Sequence, residues 1–328
     1  MRSARNSLKR RSLYKRQHGK NFKFLVLIVV IFLVSFFLYK SSDSKEEPLV
    51  AGVETAIPIP EPSPESSPSQ KPVKYKSLQE TIEKSLEGTT GSYGVFVKNL
   101  KTGESFSLNE NKVFEAGSLY KLWTMAAVIK QLESGDLKTD QKLSQAIPVL
   151  NRKFGIDPEL AEQTQGTITL TVDEALNQMI TISHNYAALL LTEKIGLSKV
   201  AAFLEEKNFN ASKVGTDGSA PVTTPLDIAL YMEKLYKGEL ANSDSTTKML
   251  ELLKAQKLNN KIPLKLPPET VIAHKTGELG WFSHDAGIIY SPKGEYIIVV
   301  MSESQSPKGA EERIADLSLN IYNYFLKN

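Results

Sequence analysis

The 328-residue chain has no cysteine. That excludes a cysteine nucleophile, thiolate-bound metal centres, disulfides and a lipid-modified cysteine behind the apolar N-terminal run, although it does not identify the compartment. Histidine is sparse, with four residues. His274 and His284 could meet on neighbouring strands, but two imidazoles without a third ligand make a poor metal site. No metal and no cofactor is therefore expected. There is no Gly-rich phosphate loop, no nucleotide motif and no internal repeat.

Acid is missing from one stretch. Residues 1–23 carry nine of the 40 Lys and Arg and no Asp or Glu. The remaining 31 basic residues face 37 acidic ones, so the rest of the chain is net −6. The basic patch is a local tag. A nucleic-acid arm is one reading of it, but the sequence that follows points elsewhere. Phe24 to Tyr39 is an uncharged apolar run of 16 residues, slightly short of the ~20 that span a bilayer. Adding Asn21 to Lys23, with the lysine snorkelling, closes the gap. We therefore read residues 24–40 as a single-pass membrane anchor. The positive-inside rule places residues 1–23 in the cytoplasm and the remainder outside. The competing reading is a cleaved signal peptide; the long basic region and the lack of an A-x-A site weigh against it. No nucleic-acid partner is expected.

Residues 41–74 hold seven of the sixteen prolines, mixed with Ser and Glu. This composition cannot bury a core and favours an extended polyproline II spacer. The folded domain is expected over 75–328.

Within it, Ser92–Asn99 alternates as a strand, with Glu104–Leu108 as its hairpin partner. A helix from Ser118 to about Glu133 presents Leu122, Met125, Ala126, Ile129 and Leu132 on one face. Thr171 and Glu174 form a capping box that opens a helix through Ile180. Another helix follows Ser183 and stops near Gly196. Thr224-Pro225 with Asp227 starts a further one. Thr270–Lys275, Ala286–Tyr290 and Tyr296–Met301 read as strands, the last two joined by the turn Ser291–Gly294. A closing helix covers Gly309–Leu326. Strands at both ends around a helical block mean α+β: an antiparallel sheet flanked by helices, with an inserted all-helical lobe. A cleft between lobe and sheet is the expected ligand site.

Three short strings carry chemistry. Ser118 and Lys121, three apart, share one face of a helix. A serine hydroxyl needs a base, and a lysine desolvated near another cation can have its pKa lowered enough to serve. Ser183-His184-Asn185 falls in a turn, where a hydroxyl can relay a proton and an Asn can hold a substrate amide. Lys275-Thr276-Gly277 ends a strand and supplies a positive charge, a hydroxyl for a substrate carboxylate and close backbone approach. Alone, each string more often marks a helix cap, a turn or an exposed strand end. In this order and at these separations they mark a serine acyl-enzyme, with an oxyanion hole from the backbone N–H groups of Ser118 and Glu278.

The S-x-x-K, S-x-N and K-T-G strings resemble those of class A β-lactamases and penicillin-binding proteins. Phe114–Ser118, Leu170–Leu176, Thr223-Thr224-Pro225 and Ala273–Gly277 extend the resemblance along residues 80–328. It implies a β-lactamase/transpeptidase-like fold. It also implies that Ser118 is the acylated nucleophile, Lys121 its base or the base's partner, Ser183 a proton shuttle, and Lys275 and Thr276 a carboxylate site. The substrate would be a β-lactam or a peptidoglycan stem peptide. β-Lactam hydrolysis is the first expectation, a D,D-carboxypeptidase or transpeptidase the second, and a non-enzymatic β-lactam receptor the third. The chain departs from the family in two places. His184 stands where S-D-N has Asp. The loop between Ser183 and Thr224 lacks the E-x-x-L-N string whose Glu activates the deacylating water. In its stretch 210–222 Asp217 is the only acid, and a Gly-flanked Asp is more often a turn residue than a base.

Overall fold

Residues 285–301 are rich in Ile and Val, which fit a pleated surface buried on both sides. In the computed structural model they form two neighbouring inner strands of a five-stranded sheet. The structure describes residues 77–327. The basic tail, the 24–40 run and the 41–74 linker lie outside the described residues, as do the first two residues of the expected domain and Asn328.

The elements in chain order are α1 (Leu78–Leu86), β1 (Ser92–Asn99), β2 (Ser105–Leu108), β3 (Phe114–Glu115), a 3₁₀ turn (Gly117–Leu119) and α2 (Tyr120–Glu133). Then follow β4 (Lys142–Ala146), α3 (Ile147–Lys153), β5 (Thr167–Thr171), α4 (Val172–Thr181), α5 (Asn185–Ile195) and α6 (Leu197–Glu206). The chain continues through β6 (Val222–Thr223), α7 (Pro225–Tyr236), α8 (Ser243–Lys254), β7 (Val271–Leu279), β8 (Phe282–Ser291), β9 (Gly294–Glu303) and α9 (Pro307–Lys327). Five strands form one antiparallel sheet in the order β2-β1-β9-β8-β7, so both ends of the domain contribute to it. This is the expected α+β architecture.

Side chains of a strand alternate between faces, and each face of this sheet has its own core. Tyr296, Ile298 and Val300 pack with Leu78 and Ile82 of α1 and with Ile314, Leu317 and Ile321 of α9. Ile297, Val299 and Met301 pack with the helical lobe. Each such side chain contributes roughly 1.5–3 kcal/mol by leaving water. The expected one-sided apolar face of α2 is in fact burial on every side: Lys121 through Ile129 are all buried. Helices α4, α5, α6 and α8 all contact α2, which makes it the lobe's central post. A lysine in its first turn is thereby carried into the interior.

Local signals hold at several boundaries. Thr171 and Glu174 make the reciprocal capping box. Thr224 caps α7, with Pro225 at its first turn. Gly196, at φ +85°, ends α5. Three expectations are corrected. The helix at Ser118 starts as a 3₁₀ turn and becomes α-helical only at Tyr120. Strand β7 runs through Lys275-Thr276-Gly277 to Leu279 instead of ending there, because Gly277 still pairs with His284. His274 and His284 do not meet: His274 lies opposite Gly287 on β8.

Candidate active site

Two glycines dock the turn before α2 against β7. Gly117 has φ +49°, and a Cβ there would lie 2.9 Å from the backbone N of Glu278. A Cβ on Gly277 would lie 2.9 Å from the carbonyl O of Ala116 and 3.0 Å from Leu119. Only residues without side chains allow this approach. It sets Ser118, in the turn, beside Glu278, on the strand.

His284 pins the segment leading into the turn. Its Nδ1 accepts the Ser302 N–H at 3.1 Å, so its Nε2–H donates to the carbonyl of Glu115 at 2.8 Å. Burial lowers its pKa to about 4, which keeps the ring neutral and this tautomer fixed. Its role is structural.

Lys121, Ser183, Asn185 and Lys275 come together on one hydrogen-bonded network. The Lys121 amine donates to Ser183 O at 2.5 Å, to Ser183 Oγ at 3.1 Å and to Asn185 Oδ1 at 2.7 Å. The Lys275 amine donates to the same Ser183 Oγ and to Thr276 O, both at 2.9 Å. Both lysines are fully buried. Burial brings the Lys121 pKa down to about 7, against the opposing field of Glu162. Burial and then the neighbouring Lys121 charge push Lys275 well below its ordinary value. Ser183 itself sits at φ +57°, a strained backbone of the kind found at functional sites. Thr276 is buried next to Lys275.

The residue between Ser183 and Asn185 has a local explanation. His184 caps α5, its Nδ1 accepting the Ala187 N–H at 3.1 Å. An Asp at that position would offer an equivalent acceptor.

Two charged residues at the site have no motif. Lys261 is fully buried and donates to Glu278 Oε1 at 2.6 Å. Glu162 lies in the exposed loop between α3 and β5, and its Oε1 accepts from Asn185 Nδ2 at 2.5 Å. Both arrive through tertiary folding from segments without periodicity, so nothing in their local sequence distinguishes them. Beneath β7, Asp285 is buried between His274 Nδ1 (2.9 Å) and the Ile262 N–H (3.0 Å). It thereby holds the loop that carries Lys261.

Asp217 is a turn residue. Its Oδ1 accepts from the Ser219 N–H at 3.1 Å and the Ser219 hydroxyl at 2.6 Å. The loop around it is closed by the Lys213–Val222 bridge and by Asp227, which accepts from Ala211 N–H and Ser212 Oγ. Among the described residues no group of three or more His, Cys, Asp or Glu is placed to hold a metal ion.

A serine on a helix-opening turn docked on a sheet edge, with a buried lysine three residues on, is the build of a serine hydrolase. The chain belongs to the Beta-lactamase enzyme family, whose sequence model matches residues 76–325. It is 26% identical over 268 residues to β-lactamase VEB-1 of Pseudomonas aeruginosa, covering 75% of this chain and 89% of that one. The extended-spectrum β-lactamase PER-1 of the same organism is 24% identical over 275 residues, with 76% and 88% covered. Among solved structures, PBP-A superposes with a TM-score of 0.68 at 24% identity, over 76% of this chain and 96% of that one. A PBP-A mutant held as an acyl-enzyme with penicillin G superposes with a TM-score of 0.67 at 24% identity, over the same 76% and 96%. At these identities the structural likeness shows the fold.

Proposed function

We propose that this serine hydrolase is an extracytoplasmic, membrane-anchored enzyme that is acylated on Ser118 by β-lactams and hydrolyses the acyl-enzyme. The observation that carries the reading is the shared oxygen. Ser183 Oγ accepts from both Lys121 and Lys275, which occupies both its lone pairs and leaves its own proton free to donate.

The chemistry follows from that arrangement. Lys121 in its neutral form gives up one of its three hydrogen bonds and uses the freed lone pair to take the Ser118 proton as Oγ attacks the carbonyl carbon. The N–H groups of Ser118 and Glu278 hold the developing oxyanion. As the C–N bond breaks, Ser183 passes a proton to the leaving nitrogen and recovers one from Lys121. Asn185 holds the substrate amide. Lys275, with Thr276 and Gly277 beside it on β7, binds the substrate carboxylate, and Lys261 adds charge to that side. Water then attacks the ester carbonyl, the C–O bond to Ser118 breaks, the proton that water loses returns to Ser118 Oγ, and the acid product departs.

A second reading is favoured by one feature. The stretch 210–222 offers Asp217 and no Glu, and Asp217 is committed to Ser219. A D,D-peptidase acting on a peptidoglycan stem peptide, which also presents an amide near a carboxylate, would be held by β-lactams as a long-lived adduct. The anchor reading rests on the 24–40 run and its basic flank. Deleting residues 1–40 should release the protein from the membrane fraction, and retention would sink that part.

The deciding experiment follows the intact mass of the protein after one dose of penicillin. An adduct that forms and clears while drug is consumed supports hydrolysis. One that persists for hours supports the peptidase or a receptor that stays acylated, and turnover of a stem peptide separates those two. No adduct at all overturns all of these readings.

A further inference from the structure

The side-chain amide of Asn185 is used at both ends: Oδ1 accepts from Lys121, and Nδ2 donates to Glu162. On the proposed function, on which this inference rests, that Nδ2–H is the donor for the carbonyl of the substrate's amide. The free enzyme therefore has a carboxylate seated where the acyl side of the substrate must arrive.

We infer that Glu162 forms a subsite for a cationic substituent on the acyl side of the substrate, on the carbon next to the amide carbonyl. An incoming carbonyl displaces Glu162 from Asn185 and leaves a carboxylate within a few ångströms of that carbon. An ammonium there replaces the lost hydrogen bond with a charge-assisted one. A neutral group offers nothing in exchange, and an anion is repelled. Glu162 is free to respond. Its side chain is exposed, and it accepts a hydrogen bond from the Asn185 amide, a neutral group. The other rim carboxylate, Glu278, is already paired with the buried Lys261. Charged groups of the enzyme act on the same spot: the field of Glu162 reaches Lys121, His184 and Tyr120. A substrate cation would therefore sit near Lys121, and it gains most when that amine is neutral.

The test uses three penicillins that differ at this one carbon: carbenicillin with a carboxylate, benzylpenicillin with hydrogen, and ampicillin with an amine. Second-order acylation rates are measured on the full chain at about pH 7, where an α-amino group is still mostly charged and Lys121, at about 7, is partly neutral. They are compared between the native protein and Glu162→Gln, an exposed substitution that keeps the size of the side chain. The readout is the native rate divided by the variant rate for each drug, which removes differences in intrinsic reactivity. We expect this ratio to exceed that of benzylpenicillin by about threefold for ampicillin and to fall below it by a similar factor for carbenicillin, the worth of an exposed ion pair. Added salt should shrink both effects. Equal ratios for all three drugs overturn the subsite and leave the proposed function standing. Absence of any adduct overturns the proposed function and the subsite with it.

Discussion

Lys121 and Lys275 direct their amines at one oxygen, Oγ of Ser183, from 3.1 and 2.9 Å. Two buried ammonium groups that close repel each other, and burial penalises both. The pair therefore gives up a proton more readily than ordinary lysines do, and Lys121, at about 7, is the one in the first turn of α2, directly after the turn that holds Ser118.

The pH dependence of acylation follows. The active form of Lys121 is neutral, and its fraction falls as pH drops below the lowered pKa. The acylation rate should be flat above neutrality and fall below about 7, approaching a tenfold loss per unit. Stopped-flow acylation by a penicillin without an ionisable side group checks this. A rate that stays flat down to pH 5 would remove Lys121 from the role of base.

Gly117→Ala should damage both stability and chemistry. A left-handed φ costs an L-residue about 1–2 kcal/mol, and the new Cβ would press on the Glu278 backbone at 2.9 Å. In a domain of this size each kcal/mol lowers Tm by about 2–4 °C. Separating the turn from β7 also misplaces the oxyanion donors, which should slow acylation by about 10²-fold or more. Thermal melts and acylation rates on the same sample read the two effects. Unchanged acylation would mean that the turn and strand do not form the oxyanion hole.

Much of this site could be read from the sequence, and the reason is local. The capping box at Thr171, the Thr224-Pro225 start and the Gly196 stop are written within one helical turn each. The Ser118–Lys121, Ser183–Asn185 and Lys275–Gly277 strings are each continuous. Their meeting point was implied only by their joint occurrence. What could not be read depends on neighbours far along the chain. The all-round burial of α2 is set by four helices around it. The extension of β7 past Gly277 is set by pairing with β8. Glu162 and Lys261 reach the site from loops whose sequence has no pattern.

His184 acts as a helix cap, and its substitutions separate cap from catalysis. His184→Ala should cost about 0.5–2 kcal/mol through the lost bond to the Ala187 N–H. His184→Asp restores an acceptor and places a negative charge at a helix N-terminus, so it should equal or exceed the native protein in stability. Acylation should be unchanged in the Asp variant. Denaturant unfolding of the pair tests this; equal stability of the Ala and native proteins would show that the cap contributes nothing.

Asp217→Asn should leave the lifetime of the penicillin adduct unchanged, since Asp217 is bound within its own turn by Ser219. A large increase in lifetime would instead make Asp217 the group that activates the deacylating water.

The central claim is that Ser118 is the nucleophile. It is tested most directly by trapping the penicillin adduct, digesting the protein and locating the added mass by peptide sequencing. The account predicts the mass on Ser118 and no adduct in Ser118→Ala. An adduct mapped to Ser183 or another residue, or one that survives Ser118→Ala, would contradict it.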